Sequence, residues 1–382
     1  MSEYQYYEFQ AVDRPLNARE MDELRALSTR AAITSTRFVN TYNYGSFRGD
    51  PAALMETYFD AFVYVANWGM REFMLRLPRR LLDLDTANLY CVGELARARA
   101  AGDHAIVEFR SEDEPEDDED GDDWMAALLP LRAELAAGDV RALYLGWLVC
   151  AQDGLLDDEE QEPPPPPGLS ELSASLQALA DFLRLGDDLI AVATEGNAPL
   201  KENAASRDAL GRWVAGLTVD EKDALLLRLV ADGDPHLRAE LRQRFRRETT
   251  TARGEESADE APRRTVGELL AAAERRTARR QRAEAERAAR ERERQQREQA
   301  AARARYLDGL AGREADLWGQ VDALIATKRP AEYDRAVGLL TDLRDLYARA
   351  DRTREFEARR DRLRDEHARK PSLLQRFNQA GL

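Results

Sequence analysis

The spacing of apolar positions changes along this chain, and each change predicts a different kind of element. Tyr7, Phe9 and Ala11 alternate with Glu8, Gln10 and Val12, the period of two that marks a strand with one covered face. The same alternation returns in "TRFVNTYNY" (36–44), in "REFMLRLP" (71–78), where Phe73, Leu75 and Leu77 share a face, and in "HAIVEFR" (104–110). Helical signals lie between them. Asn17 and Glu20 have capping-box spacing ahead of Met21, Leu24, Leu27 and Ala31. Asp50-Pro51 is an N-cap followed by proline at the first helical position. It predicts a helix burying Leu54, Met55, Tyr58, Phe59, Phe62 and Val63 and ending at Gly69. A short helix is expected at 85–91. Strands separated by helices predict an α+β or split β-α-β layer, a mixed sheet with its helices on one face.

From Trp124 onward the spacing lengthens to that of helices. Trp124, Ala127, Leu128, Leu131 and Leu135 make one stripe, ended by Gly138-Asp139. The next segment, with Leu143, Tyr144, Leu145, Trp147, Leu148 and Cys150, is apolar nearly all round and reads as a central core helix. "EEQEPPPPPG" reads as a stiff polyproline spacer. Leu169, Leu172, Leu176, Leu179, Phe182 and Leu183 form another stripe. Thr218 with Glu221, and Asp234 with Pro235, cap a helix pair carrying 225–230, Leu237, Leu241 and Phe245.

After a polar linker at 249–262 the pattern loses its large apolar residues. Segment 265–305 is Ala, Arg, Glu and Gln, with Glu286–Arg290 and Glu293–Arg297 in the favourable i,i+4 orientation. It reads as a solvated single helix more readily than as a coiled coil, whose seam needs larger side chains. It is expected to project without packing along the head, and a helix continuous through Ile325 would span about 90 Å. Leu307, Leu310, Leu317, Val321, Leu324 and Ile325 then begin a helical bundle, broken at Lys328-Arg329-Pro330 and continued by Tyr333 to Tyr347, Phe356 and Leu363. The expected organisation is therefore an α+β head (1–110), an acidic loop (111–123), a helical domain (124–248), a linker (249–262), a charged helix (263–305) and a C-terminal bundle (306–382), mainly α overall.

Charge sharpens this division. The net −16 hides two opposite halves: residues 1–262 carry 27 basic and 51 acidic side chains, and residues 263–382 carry 29 and 21. Such a dipolar chain can dock its own arm on its own head, or offer its ends to different partners. Arginine outnumbers lysine 52 to 4, which a GC-rich coding sequence explains without any guanidinium function. The run 111–123 is almost wholly Asp and Glu and reads as a solvated, mobile loop. No stretch of about 18 apolar residues suggests a membrane span, and the N-terminus has no basic n-region or apolar h-region, so a cytoplasmic protein is expected. Cys91 and Cys150 sit in apolar contexts and read as two buried thiols.

Candidate chemistry is sparse. The chain carries no phosphate-binding glycine loop, nucleophile elbow or HExxH helix. His104, His236 and His367 are isolated, so neither a metal nor a cofactor is expected; His104 beside Asp103 reads as a strand-edge histidine rather than a base. Asn40, Tyr42, Asn43, Tyr44, Arg48 and Asp50, with Asn67 and Trp68, place polar and aromatic groups between a strand and a helix N-terminus. That position suits an anion or a peptide carboxylate, although caps, turns and tyrosine packing explain the same residues. Arg275, Arg276, Arg279, Arg280, Arg282, Arg287 and Arg290 form the second candidate, an electropositive helix face. It fits RNA, DNA or an acidic protein, but no aromatic residue lies between Arg263 and Arg305 to stack on bases.

The segments "ATKRPAEYDRAVGLLTDLRDLY" (326–347) and "HARKPSLLQRFNQAGL" (367–382) resemble the tail of bacterial SWIM zinc-finger proteins. The Cys-x-Cys…Cys-x-His site that names that family is absent here, so the resemblance implies a docking tail and neither zinc nor its nucleic-acid role. The aromatic head resembles an uncharacterised bacterial protein family, which implies no function. Together these readings predict a non-catalytic adaptor that holds protein partners through its head and its helical arm. A nucleic-acid accessory protein using the arginine face is the alternative, and an enzyme with its site near Tyr44 and Arg48 is the third.

Overall fold

The computed structural model describes residues 4–112, 121, 123–199, 207–231, 233–251 and 263–382. They form two compact units, 1–279 and 280–382. The fold is α+β and mainly helical. Seven strands build one sheet: β1 (Gln5–Gln10), β2 (Ala32–Ile33), β3 (Arg37–Tyr42), β4 (Ala61–Ala66), β5 (Met70–Pro78), β6 (Ala96–Ala101) and β7 (His104–Glu112). Their order is β2-β3-β1-β4-β5-β7-β6, and every neighbouring pair is antiparallel.

Helices cover both faces of this sheet, not one. α1 (Ala18–Leu27) and α2 (Pro51–Thr57) close over Phe9, Phe38, Phe59 and Phe62, with the Phe9 and Phe62 rings stacked 4.4 Å apart. The cap signals are realised: Asn17 and Glu20 form a reciprocal capping box, and Asp50 accepts from the amides of Ala52 and Ala53. The helix begun at Pro51 does not run to Gly69, however. It stops at Thr57, and "AFVYVA" becomes β4, buried on both faces and hydrogen-bonded to β1 and β5. A run apolar on every side suits a central strand as well as a buried helix, and tertiary pairing decides. After α3 (Leu84–Asn88), β6 is "ARARAA", whose helix-forming composition is overridden by pairing with β7 across the Gly102 turn.

The opposite face, with Val63, Val65, Phe73, Leu75, Val107 and Phe109, packs against α4 (Trp124–Leu128), α5 (Leu131–Ala136), α6 (Arg141–Gln152), α7 (Ala174–Phe182) and α8 (Asp187–Ala193). The stripe from Trp124 to Leu135 is thus two helices, separated at Leu129-Pro130. α6 is the buried core helix, and a Cβ at Gly146 would stand 2.7 Å from the Phe109 ring, so only glycine lets it approach the sheet this closely. α9 (Arg207–Gly216), α10 (Val219–Val230) and α11 (Leu237–Thr251) follow, α10 with the expected Thr218–Glu221 capping box.

The proline run is not a free spacer. Pro163 and Pro166 are buried, and the Tyr90 hydroxyl donates to the Pro164 carbonyl at 2.9 Å. Just before it, Gln161 bridges Thr265, and buried Glu162 accepts from the Tyr144 hydroxyl and, at 2.8 Å through each oxygen, from Arg264. The Arg264 guanidinium also donates to the carbonyl of Val192 at 2.7 Å. This latch seats the start of α12 (Val266–Leu310) in the first core, where Val266 and Leu269 are fully buried. Residues 266–305 are therefore helical as expected, but the first turns are packed rather than projecting. The helix also ends at Leu310, short of Ile325, where Gly312 adopts a φ of +80°.

The second unit has its own core. α13 (Glu314–Ala326), α14 (Pro330–Arg349), α15 (Thr353–Glu366) and α16 (Pro371–Gln379) join Leu307 around Trp318, Val321, Leu340, Leu343, Phe356 and Phe377. Of the expected acidic loop, Ser111 and Glu112 complete β7, while 113–120 and 122 lie outside the described residues. Of the expected linker, 249–251 belong to α11 and 252–262 lie outside the described residues.

Candidate functional site

The sheet sorts the polar and aromatic residues of 40–68 into three groups. Asn40 and Tyr42 lie on one face of β3; Asn40 is buried and donates to the Ser28 hydroxyl and to the Tyr42 hydroxyl, both at 2.7 Å. Asp50 and Asn67 do structural work, Asp50 as the α2 cap and Asn67 by accepting from the Tyr4 amide at 3.0 Å. Asn43, Tyr44, Arg48 and Trp68 are exposed, Tyr44 by 77%. Register explains why these segments meet: Gln5 pairs with Tyr42 on one side and Ala66 on the other. The 43–45 loop and the Asn67–Gly69 turn therefore leave the same end of the sheet. Trp68 sits in that β4–β5 turn, closed by Gly69 at φ +90°, and not at a helix end.

Register also assembles a polar row that the chain order conceals. Asn40 pairs with Tyr7, Tyr7 with Tyr64, Tyr64 with Glu72 and Glu72 with Arg110, across five strands. The Tyr7 ring lies 4.7 Å from that of Tyr64 and edge-on to Tyr42 at 5.9 Å. Tyr7 donates to Gln5 Oε1 at 2.7 Å, and Gln5 Nε2 donates to the Gly45 carbonyl at 2.8 Å, tying the row to the exposed loop. Burial pushes both phenols above their ordinary range. Glu72 is the unusual member. Burial raises its carboxyl to about 7, the Arg110 guanidinium 3.4 Å away opposes that, and the neighbouring Glu108 carboxylate reinforces it. Arg110 also contacts Glu108 at 2.5 Å, so one cation is divided between two acids. The row can hold a proton near neutrality and offers phenol donors beside it.

A second cluster joins residues far apart in sequence. Asp60, 1% exposed, accepts from the amides of Val12 and Asp13 at 2.7 and 2.9 Å and from Arg76 at 2.8 Å. Arg132 donates to Asp13 at 2.6 Å and to the Arg76 carbonyl at 2.8 Å. His236, just before α11, places Nε2 2.9 Å from Asp13 Oδ2, a contact that becomes a hydrogen bond when that nitrogen carries the proton. Burial works against the Asp13 charge, but His236 and Arg132 outweigh it and hold the carboxyl down at about 2. His104 stands near enough that burial, followed by the Arg76 charge, lowers its pKa. Two acids meet two guanidiniums here, so the cluster reads as a staple. No local spacing could have found it.

The arm arginines also divide. Arg276 pairs with Asp188 at 3.3 Å, Arg280 with Glu284 at 3.5 Å and Arg290 with Glu286 at 3.7 Å. Arg275, Arg279 and Arg282 recur at helical spacing on one exposed stripe, and Arg287 is exposed as well. A different surface was not foreseen: α10 leaves Val219, Leu226, Leu227, Leu229 and Val230 exposed by 56–80%. Among the described residues no cluster of three or more His, Cys, Asp or Glu could hold a metal, and no helix is long and apolar enough to cross a membrane. Both cysteines are free, and burial pushes the Cys91 thiol up to about 12. Compared with family models, with curated proteins and with solved structures, the chain matches none.

Proposed function

We propose that this chain is a non-catalytic adaptor whose two units hold different protein partners. The observation that carries the reading is α12: its first turns are buried in one core and Leu307 in the other, while every residue from Gln281 to Ala302 is exposed. A helix that long without a covering face contributes little apolar burial of its own, and it ties two separately cored units into one polypeptide. The apolar stripe of α10 supplies the first unit with a surface suited to a protein partner. Affinity purification with the full chain and with a chain ending at Arg279 tests this. Loss of a subset of partners from the shortened chain is expected; identical partner sets would overturn it. The cut belongs after Arg279 because Arg264, Val266 and Leu269 complete the first core.

A nucleic-acid accessory role is the second reading, favoured by the exposed Arg275, Arg279 and Arg282 stripe. It predicts affinity for RNA or DNA that falls linearly in log K against log salt. Absence of binding by the full chain at about 50 mM salt, where phosphate contacts are strongest, removes it.

A further inference from the structure

The C-terminal unit carries a groove of about 630 Å³ between α13, α14 and α15, a volume within the usual range for ligand sites of about 300–1,000 Å³. Its floor is aromatic, and its wall carries Arg352, Arg359 and Arg362 beside Asp322, Glu355 and Glu366. The Arg359 guanidinium lies 4.6 Å from the Trp318 ring centre, and that of Arg352 lies 4.9 Å from Tyr347. Stacking fixes the plane of a guanidinium while leaving its N–H edges available for a forked contact. Arg352 spends that capacity on Glu355 at 2.6 Å. Arg359 and Arg362, one turn apart on α15, are exposed and have no carboxylate partner among the described residues. Beneath them Trp318 is 1% exposed, and its indole N–H has no acceptor, the kind of orphaned donor that calls for an explanation.

We propose that this groove docks an acidic peptide segment of a protein partner, its carboxylates forked by Arg359 and Arg362. The opposite charges on the rim choose peptide over nucleic acid. Asp322 and Glu366 also line the groove; they oppose the unbroken charge of a phosphate backbone more than the spaced carboxylates of a peptide, whose amides can donate to them. The arginines, moreover, already occupy faces of Trp318 and Tyr347 on which bases would stack. The proposal rests on the adaptor reading in taking the C-terminal unit as a docking module, and it names what that module recognises.

Fluorescence anisotropy of a labelled peptide of alternating glutamate and alanine, titrated with the full chain, tests it. Arg359→Gln with Arg362→Gln should weaken binding about tenfold or more, the loss of two charge-assisted contacts. Removing equal charge from the exposed arm, Arg287→Gln with Arg292→Gln, should change it less than about twofold, the range expected of screened distant charges. Arg359→Lys should fall between the two because it keeps the charge and loses the fork. Circular dichroism melts should superimpose, since the four altered arginines are exposed. Equal weakening by both pairs, or tighter binding of a thymidine oligonucleotide at the same groove, would overturn the proposal. So would no peptide binding at all; if the shortened chain still lost partners, the adaptor reading would outlive it. Peptide binding with unchanged partner sets would leave the groove standing and the adaptor reading refuted.

Discussion

Two buried polar clusters share one sheet and have opposite acid–base character. Around Asp60, two carboxylates face two guanidiniums and a histidine, and Asp13 is held as an anion down to about pH 2. Around Glu72, two carboxylates share the single guanidinium of Arg110, and Glu72 keeps its proton to about pH 7. Glu72 is buried and Asp13 half-buried, so burial and pairing act in the same direction. The depth of burial together with the number of cations and amide donors per acid decides whether a carboxyl is a fixed anion or a proton holder.

The largest effect should come from dismantling the balanced cluster. Asp60→Ala leaves the Arg76 guanidinium and the amides of Val12 and Asp13 without their carboxylate and should cost about 3–5 kcal/mol in urea unfolding. A loss below about 1 kcal/mol, the size of a surface pair, would show that the cluster is no staple. Next comes Glu72→Gln. Burial raises the folded Glu72 pKa to about 7 from the ordinary 4.5, so the native state binds the extra proton within that window. Its favourable contribution is complete below the unfolded value and is lost as pH rises through the folded one. Wild-type stability should therefore fall relative to Glu72→Gln by on the order of 3 kcal/mol across that rise; parallel pH profiles would contradict the assignment. Asp13→Asn should show the reverse sign and a smaller size. Asp13 contributes stability above about 3.8 that disappears as pH falls through about 2, so the wild-type advantage of about 2 kcal/mol should vanish on acidification. An advantage that persists at pH 2 would place the anion elsewhere.

What could be read beforehand was local. The capping boxes at Asn17–Glu20 and Thr218–Glu221, the Asp50-Pro51 start and the alternating strands depend on spacings of two to four residues, and the structure has them. β4 was hidden because "AFVYVA" is apolar in every direction, which leaves period two and period 3.6 indistinguishable. β6 was hidden because Ala and Arg favour helices in isolation. At the candidate site, Asn40 and Tyr42 were legible as polar and aromatic residues leading into a loop. Their neighbours Tyr7, Tyr64, Glu72 and Arg110 were not, because register rather than sequence brings them together. Asp13 and His236 lie still further apart, and no periodic pattern links a strand exit to a helix start.

The latch at Arg264 sets a timetable for synthesis. The first core lacks Val266, Leu269 and Ala273 until those residues emerge, and buried Glu162 lacks its guanidinium for as long. At about 5–20 residues per second, the sheet and its helices are translated well before the piece that closes them. The nascent chain therefore carries an unfinished apolar surface and an uncompensated buried acid through that interval. A ribosome that stalls between Glu162 and Arg264 releases a species with both defects at once, suited to capture by chaperones or proteases. The root of the arm is thus the last part of the first unit to be made and the piece that completes its core.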